Sequence, residues 1–167
     1  GSGEASELKT ISAEIVVNCA GLWGHQVGKM AGVNVPLHAA EHFYIVTENI
    51  GLPSTLPVLR DPSSWIYAKE DAGKMLVGCF EPKSKPRPLN TIPEDFSFGQ
   101  FEEDWEHFEP AMLNAMHRIP KLEDAGIHTF FNGPESFTPD DRYILGEAPE
   151  LKNFYVAAGL NSIGIQS

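Results

Sequence analysis

Basic residues are few in this sequence. Lysine and arginine total 12 against 23 aspartates and glutamates, a formal net charge of −11. Such a balance cannot neutralise a row of phosphates, which argues against a nucleic-acid partner, and it offers no polybasic patch to a membrane. Cysteine is scarce too. Cys19 and Cys79 both sit in apolar runs and read as reduced core residues rather than a disulfide. The six histidines, at 25, 38, 42, 107, 117 and 128, fall at no metal-ligand spacing, so no metal site is expected. No apolar run approaches the ~20 residues of a membrane span, and Gly1–Ser6 has neither the basic region nor the apolar core of a leader. Phosphate-binding and nucleophile signatures are missing as well. Gly21, Gly24, Gly28 and Gly32 have the wrong spacing for G-x-G-x-x-G, Gly159–Gly164 lacks the lysine of a P-loop, and no G-x-S-x-G elbow occurs.

What is present suits a globular chain with a real core: 167 residues, 42% hydrophobic and 21% charged. The acids bunch at Glu94-Asp95 and Glu102–Glu109 and read as a solvated face. The chain opens without Met and stops at Ser167 inside what reads as a new element, so an excised piece is expected.

The most telling stretch is Ile15–Trp23. Its β-branched run predicts a strand over 14–19 buried on both faces. The small turn Asn18-Cys19-Ala20-Gly21 follows, at the strand end where open α/β sheets bind ligands. Trp23, Val27, Met30 and Ala31 then recur at helical spacing, with Gly32 as the stop and His25 on the outer surface. A second strand-and-turn closes the chain at Phe154–Ala158 and Gly159–Gly164.

Between these brackets the pattern changes. His42, Tyr44 and Val46 share one strand face and Phe43, Ile45 and Thr47 the other. A short strand is predicted at 57–62, then a hairpin over 65–80 with a three-residue Asp71-Ala72-Gly73 loop. Four prolines make 81–93 irregular. Phe101, Trp105, Phe108 and Met112 form one helical stripe over 99–119, and Pro110 predicts two helices or a sharp kink. A strand at 127–131, a long polar loop at 132–141 and a strand from Arg142 complete the count, with no internal repeat. The expected class is α+β: an antiparallel β-sheet with helices, flanked by strands of α/β character.

The stretches IVVNCAGLWG, PLHAAEHFYIVTE, LPVLRD, WIYAKEDAGKMLVGCFE, FFNGPESFTPDDRYILGEAP and NFYVAAGLNSIGIQS, in that order, resemble the FAD-dependent D-amino-acid-oxidase superfamily. Within it the likeness is to the branch of dimethylglycine and sarcosine dehydrogenases and oxidases. A catalytically silent relative, the regulatory subunit of pyruvate dehydrogenase phosphatase, is similar too. The resemblance implies remnants of an FAD-binding domain at 1–33 and 148–167 around a substrate-binding domain at 34–147. The half of the FAD domain that bears the glycine fingerprint is missing from this chain.

The resemblance also implies site residues. Cys19, Ala20, Gly21 and Trp23 on one turn, and Gly159, Leu160, Asn161, Ser162 and Gly164 on the other, would face FAD, the second turn opening a helix. His42 and Tyr67 map onto the family's active-site histidine and tyrosine, although from the residues alone they read as a core histidine and a strand tyrosine. Arg60 is a candidate for the substrate carboxylate, or else an ion-pair partner of Asp61. Glu135 and Asp140 are given loop shape only. The implied substrate is a small N-methyl amino acid. FAD is expected in the parent protein but not on this piece, which by itself should be inactive. Folate and an electron acceptor are further implied partners, and the compartment is the cytoplasm or the mitochondrial matrix.

Overall fold

The computed structural model describes residues 9–164 apart from Glu94. Its architecture is α+β, as expected, with two sheets. The smaller has three strands: β1 (Val16–Asn18), β7 (Ile144–Glu147) and β8 (Phe154–Ala158), in the order β1-β8-β7. β1 runs parallel to β8 and β7 antiparallel to it, which brings the two bracket sequences side by side.

The first bracket differs from expectation in four ways. Val16 and Val17 are exposed at 47% and 56%, so β1 is not buried on both faces. Helix α1 (Gly24–Met30) turns its glycines inward instead of its apolar stripe. A Cβ on Gly28 would stand 2.6 Å from Val35 Cγ2, so only glycine lets the helix lie this close to the 33–37 segment. The stripe residues Trp23 and Met30 are left exposed. Cys19 is exposed at the turn, whereas Cys79 is buried as expected; both are free thiols. Gly32, at φ +72°, ends α1 as the sequence indicates. His25 is half-buried rather than on the outer surface, with Nδ1 2.9 Å from the Val35 carbonyl. A carbonyl only accepts, so that nitrogen carries the proton.

The larger sheet has five strands in the order β3-β4-β5-β2-β6: β2 (His38–Thr47), β3 (Leu59–Asp61), β4 (Ile66–Asp71), β5 (Lys74–Cys79) and β6 (Ile127–Phe137). All neighbours are antiparallel. β4 and β5 meet through a two-residue turn, Ala72-Gly73, not the three residues expected. Both turn residues have positive φ, the signature of the tight hairpin turn that matches strand twist.

β6 is the main departure from the sequence reading. It runs on through Asn132-Gly133-Pro134-Glu135-Ser136-Phe137, which the composition marks as loop, and pairs with β2 along its length. Pro134 is tolerated because β6 is an edge strand. Opposite it, the Glu41 N–H donates to Lys85 O on the other side of β2, so no ladder bond is lost.

One face of this sheet is the core. Helix α2 (Trp105–Arg118) lays Phe108, Ala111, Met112 and Ala115 against Phe43, Ile45, Ile66, Ala68, Val77 and Phe130. The helix is continuous through Pro110, so of the two expected outcomes the split into two helices does not occur. Pro110 and Glu106, whose carbonyl loses its usual partner, are both exposed, so water can satisfy that oxygen. α2 starts at Trp105, where Asp104 accepts from the His107 N–H at 3.0 Å, so Phe101 is not part of it. Phe101 instead pins its segment to β6 by donating to the Asn132 carbonyl.

Candidate functional site

The other face of the five-stranded sheet has no covering helix among the described residues and carries the polar side chains. One cross-strand row there reads Phe131 (β6), Tyr44 (β2), Gly78 (β5), Tyr67 (β4) and Arg60 (β3). His42 lies two residues from Tyr44 on the same face, and Glu135 lies across on β6. The alternation of β2 that buries Phe43 and Ile45 therefore presents His42 and Tyr44 outward.

The structure brings His42 and Tyr67 together, with Nε2 and Oη 3.1 Å apart. Phe80 packs against both rings, at centroid distances of 5.0 Å and 5.5 Å. Arg60 sets its guanidinium 5.2 Å from the centre of the Phe80 ring. It is Arg118, not Arg60, that pairs with Asp61 and holds that carboxyl below the usual range. Tyr67, Arg60, His42, Phe80 and Glu135 line one cavity of about 490 Å³, together with Ser162 from the C-terminal turn.

Burial is the main cause that raises the Tyr67 pKa well above its ordinary value, and Cys79, Glu135, Tyr44 and Glu81 add to it. The phenol thus keeps its proton through the neutral range. Burial raises Tyr44 likewise. Glu135 Oε2 stands 3.8 Å from His42 Nδ1, an ion-pair distance beyond hydrogen-bond range. Its place on a strand makes Glu135 part of the site. Sequence reasoning missed this because the Gly-Pro pair before it reads as loop.

A second cavity, of about 570 Å³, runs along the edge of the small sheet. It brings together Cys19, Gly21, Leu160, Asn161, Ser162 and Gly164 from the two predicted turns. Ala20, Trp23 and Gly159 do not line it. The helix expected after the second turn falls on 165–167, outside the described residues. The buried Ser162 hydroxyl has no hydrogen-bond partner among the described residues, and it lines both this cavity and the first. A buried polar atom without a partner usually marks a site made for one.

Two asparagines hold these turns. Asn161, at φ +48°, accepts from the Thr138 N–H at 2.9 Å and donates to its hydroxyl at 3.0 Å. Its side chain is therefore engaged with the end of β6. Asn18 is buried, donates to the Gly24 carbonyl at 2.8 Å and accepts from the Ala20 N–H at 3.2 Å. Asn18→Ala leaves both groups without that partner and is expected to lower stability by about 1–3 kcal/mol. Chemical denaturation with an unchanged m-value checks this; a loss well under that range would leave Asn18 without this role.

The family profile "FAD dependent oxidoreductase" matches residues 2–167. The chain is 43% identical over 164 residues to 4-methylaminobutanoate oxidase (formaldehyde-forming) of Paenarthrobacter nicotinovorans, covering 98% of this chain and 20% of that protein. It is 41% identical over 164 residues to mitochondrial sarcosine dehydrogenase of Homo sapiens, covering 98% and 18%. It is 36% identical to the mitochondrial pyruvate dehydrogenase phosphatase regulatory subunit of Mus musculus, covering 98% and 19%. The chain therefore spans about a fifth of the length of these curated relatives. Among solved structures, the crystal structure of L-proline dehydrogenase from P. horikoshii superposes with a TM-score of 0.71 at 21% identity, over 90% of this chain and 38% of that one.

Proposed function

We propose that this chain, which belongs to the FAD dependent oxidoreductase family, supplies the substrate side of a flavoenzyme that oxidatively demethylates N-methylated amino acids, sarcosine and dimethylglycine among them. The observation that carries this reading is the His42–Tyr67 pair, set in a cavity that shares Glu135 and Ser162 with the cavity along the two turns. In this reading residues 34–147 form the substrate-binding unit, and 1–33 with 148–167 belong to the cofactor unit. The buried Ser162 hydroxyl that lacks a partner among the described residues, the left-handed Asn161-Ser162 backbone and the open Gly21 turn fit a planar, hydrogen-bonding cofactor. FAD, when bound there, supplies the acceptor for the hydride that leaves the substrate's methyl carbon. Water then hydrolyses the iminium to the demethylated amine and formaldehyde.

The chain's own residues prepare the amine. Oxidation needs the nitrogen unprotonated, because its lone pair assists hydride departure. His42 donates from Nε2–H to Tyr67 Oη, 3.1 Å away, which leaves the phenol proton free for the substrate carboxylate. His42 Nδ1, on the Glu135 side, takes the ammonium proton. The imidazolium so formed faces the Glu135 carboxylate with Nδ1–H.

The test is reduction of flavin absorbance by N-methyl amines in the full-length protein. Tyr67→Phe removes one hydrogen bond to a charged partner and is expected to slow reduction about ten- to a hundredfold. His42→Ala should slow it by a similar factor. Unchanged rates in both variants would remove the assignment. The chain by itself lacks a phosphate-binding glycine fingerprint and is expected to purify colourless and to oxidise no amine; a stoichiometric flavin spectrum would overturn that.

The 36% identity to a phosphatase regulatory subunit supports a second reading, a regulatory flavoprotein without turnover. Intact bound flavin that no N-methyl amine reduces would favour it. An electron acceptor and folate are the partners expected of the active parent, in the cytoplasm or the mitochondrial matrix.

A further inference from the structure

Glu135 occupies a singular place on the open face. Besides the two cavities described, a third of about 360 Å³ opens beside Phe98, Gln100 and Phe131. Glu135 lines all three and is, among the described residues, the one acid lining any of them. Its carboxylate is not hydrogen-bonded to His42 at 3.8 Å, and an ionised carboxylate offers about four acceptor positions. With 29% of its side chain exposed, it remains open to a donor from the cavities.

The cation of the first cavity lies at the other end. Arg60 is on β3, the edge strand opposite β6, and lines the first cavity but neither of the others. Across the sheet the sequence of groups is Arg60, Tyr67, His42 and Glu135, positive at one edge and negative at the other. Only the acidic end reaches the cavity along the two turns.

We propose that Glu135 is a substrate-binding residue that takes the ammonium of a zwitterionic N-methyl amino acid while the carboxylate points toward Arg60 at the cationic edge, so that the N-methyl end faces the cavity along the turns. The assignment rests on the function proposed above. It explains how one site discriminates between the two ends of a small zwitterion. Two uniform ends would bind it in both orientations, and one of these keeps the methyl carbon away from the cofactor side. A charge-assisted hydrogen bond at the acidic end, with the field of Arg60 at the other, fixes the direction.

The test uses full-length holoenzyme kept reduced, so that nothing turns over, and calorimetric titration. The probes are sarcosine and 4-(methylamino)butanoate, each paired with the thioether in which sulfur replaces the NH₂⁺ group. In Glu135→Gln both amines should bind about tenfold or more weakly, while the uncharged thioethers change less than about twofold. In Arg60→Gln amines and thioethers should weaken together, because both carry the carboxylate. Equal weakening of amine and thioether in Glu135→Gln would show a merely structural role and overturn the proposal, as would unchanged amine binding. Wild-type protein that binds no amine probe would instead overturn the proposed function itself, and this assignment with it.

Discussion

Replacing Gly78 by alanine in the full-length protein is expected to slow amine-dependent flavin reduction about a hundredfold or more, with little change in stability. Gly78 faces Tyr44 on one side and Tyr67 on the other in the row across the sheet. The Tyr67 ring lies over it so closely that an added Cβ would stand 2.2 Å from both Cζ and Oη. No contact of that length survives, so the phenol must swing away, and its 3.1 Å bond to His42 goes with it. The backbone offers no other objection, because Gly78 is not among the positive-φ residues. The loss is therefore greater than in Tyr67→Phe, where the ring stays and only the hydroxyl is removed. A double-mutant cycle gives the decisive comparison. In a Tyr67→Ala background Gly78→Ala should add almost nothing, since the ring it displaces is already gone. Additive losses would mean that Gly78 acts through the sheet and not through Tyr67.

That row of residues also shows how far the sequence could be read. The alternation in 42–47 places His42 and Tyr44 on one face, because strand side chains alternate whatever the partner strand is. The pairing that sets Tyr67 beside His42 is tertiary, and no local pattern encodes it; the likeness of scattered motifs to a family supplied it. Glu135 was hidden for a different reason. Gly133 and Pro134 are loop formers by local preference, and an edge strand overrides that preference where its partner asks for no ladder bond. The inner face of α1 was misread through the same kind of override. A hydrophobic stripe marks the buried face only if side chains make the contact, and here Gly24 and Gly28 make it with bare backbone. Pro110 does not split the helix, because the cost of a lost helical bond depends on whether water reaches the carbonyl.

The same sheet has a buried charge on its core side, and removing that charge's partner is expected to give the largest loss of stability. Glu41 is 1% exposed. Its carboxylate accepts from Arg87 Nη2 and, at 2.7 Å, from Asn132 Nδ2, with Lys85 Nζ at 3.8 Å. The 85–87 segment takes the place of β5 beside β2: Glu41 N–H donates to Lys85 O and Arg87 N–H to Ala39 O, each at 2.8 Å. Arg87 also lies 4.3 Å from the centre of the Phe101 ring. Arg87→Met should keep most of that packing and remove the charge, leaving a carboxylate in the interior with the neutral Asn132 amide and, as its only counter-charge among the described residues, a distant lysine. Breaking a buried pair in this way costs about 3–5 kcal/mol, and Lys85 puts the expected value near the lower end. The urea midpoint should fall accordingly, with the m-value unchanged. The double variant Arg87→Met, Glu41→Met should recover much of the loss, because the uncompensated charge is gone. A single variant that loses less than about 1 kcal/mol would mean that Arg87 is held by its aromatic contact and that Glu41 does not need it. Because β2 and β6 carry His42 and Glu135 on their other face, a loss of this size would also loosen the His42–Glu135 side of the site, and amine binding should weaken in Arg87→Met and return in the double variant.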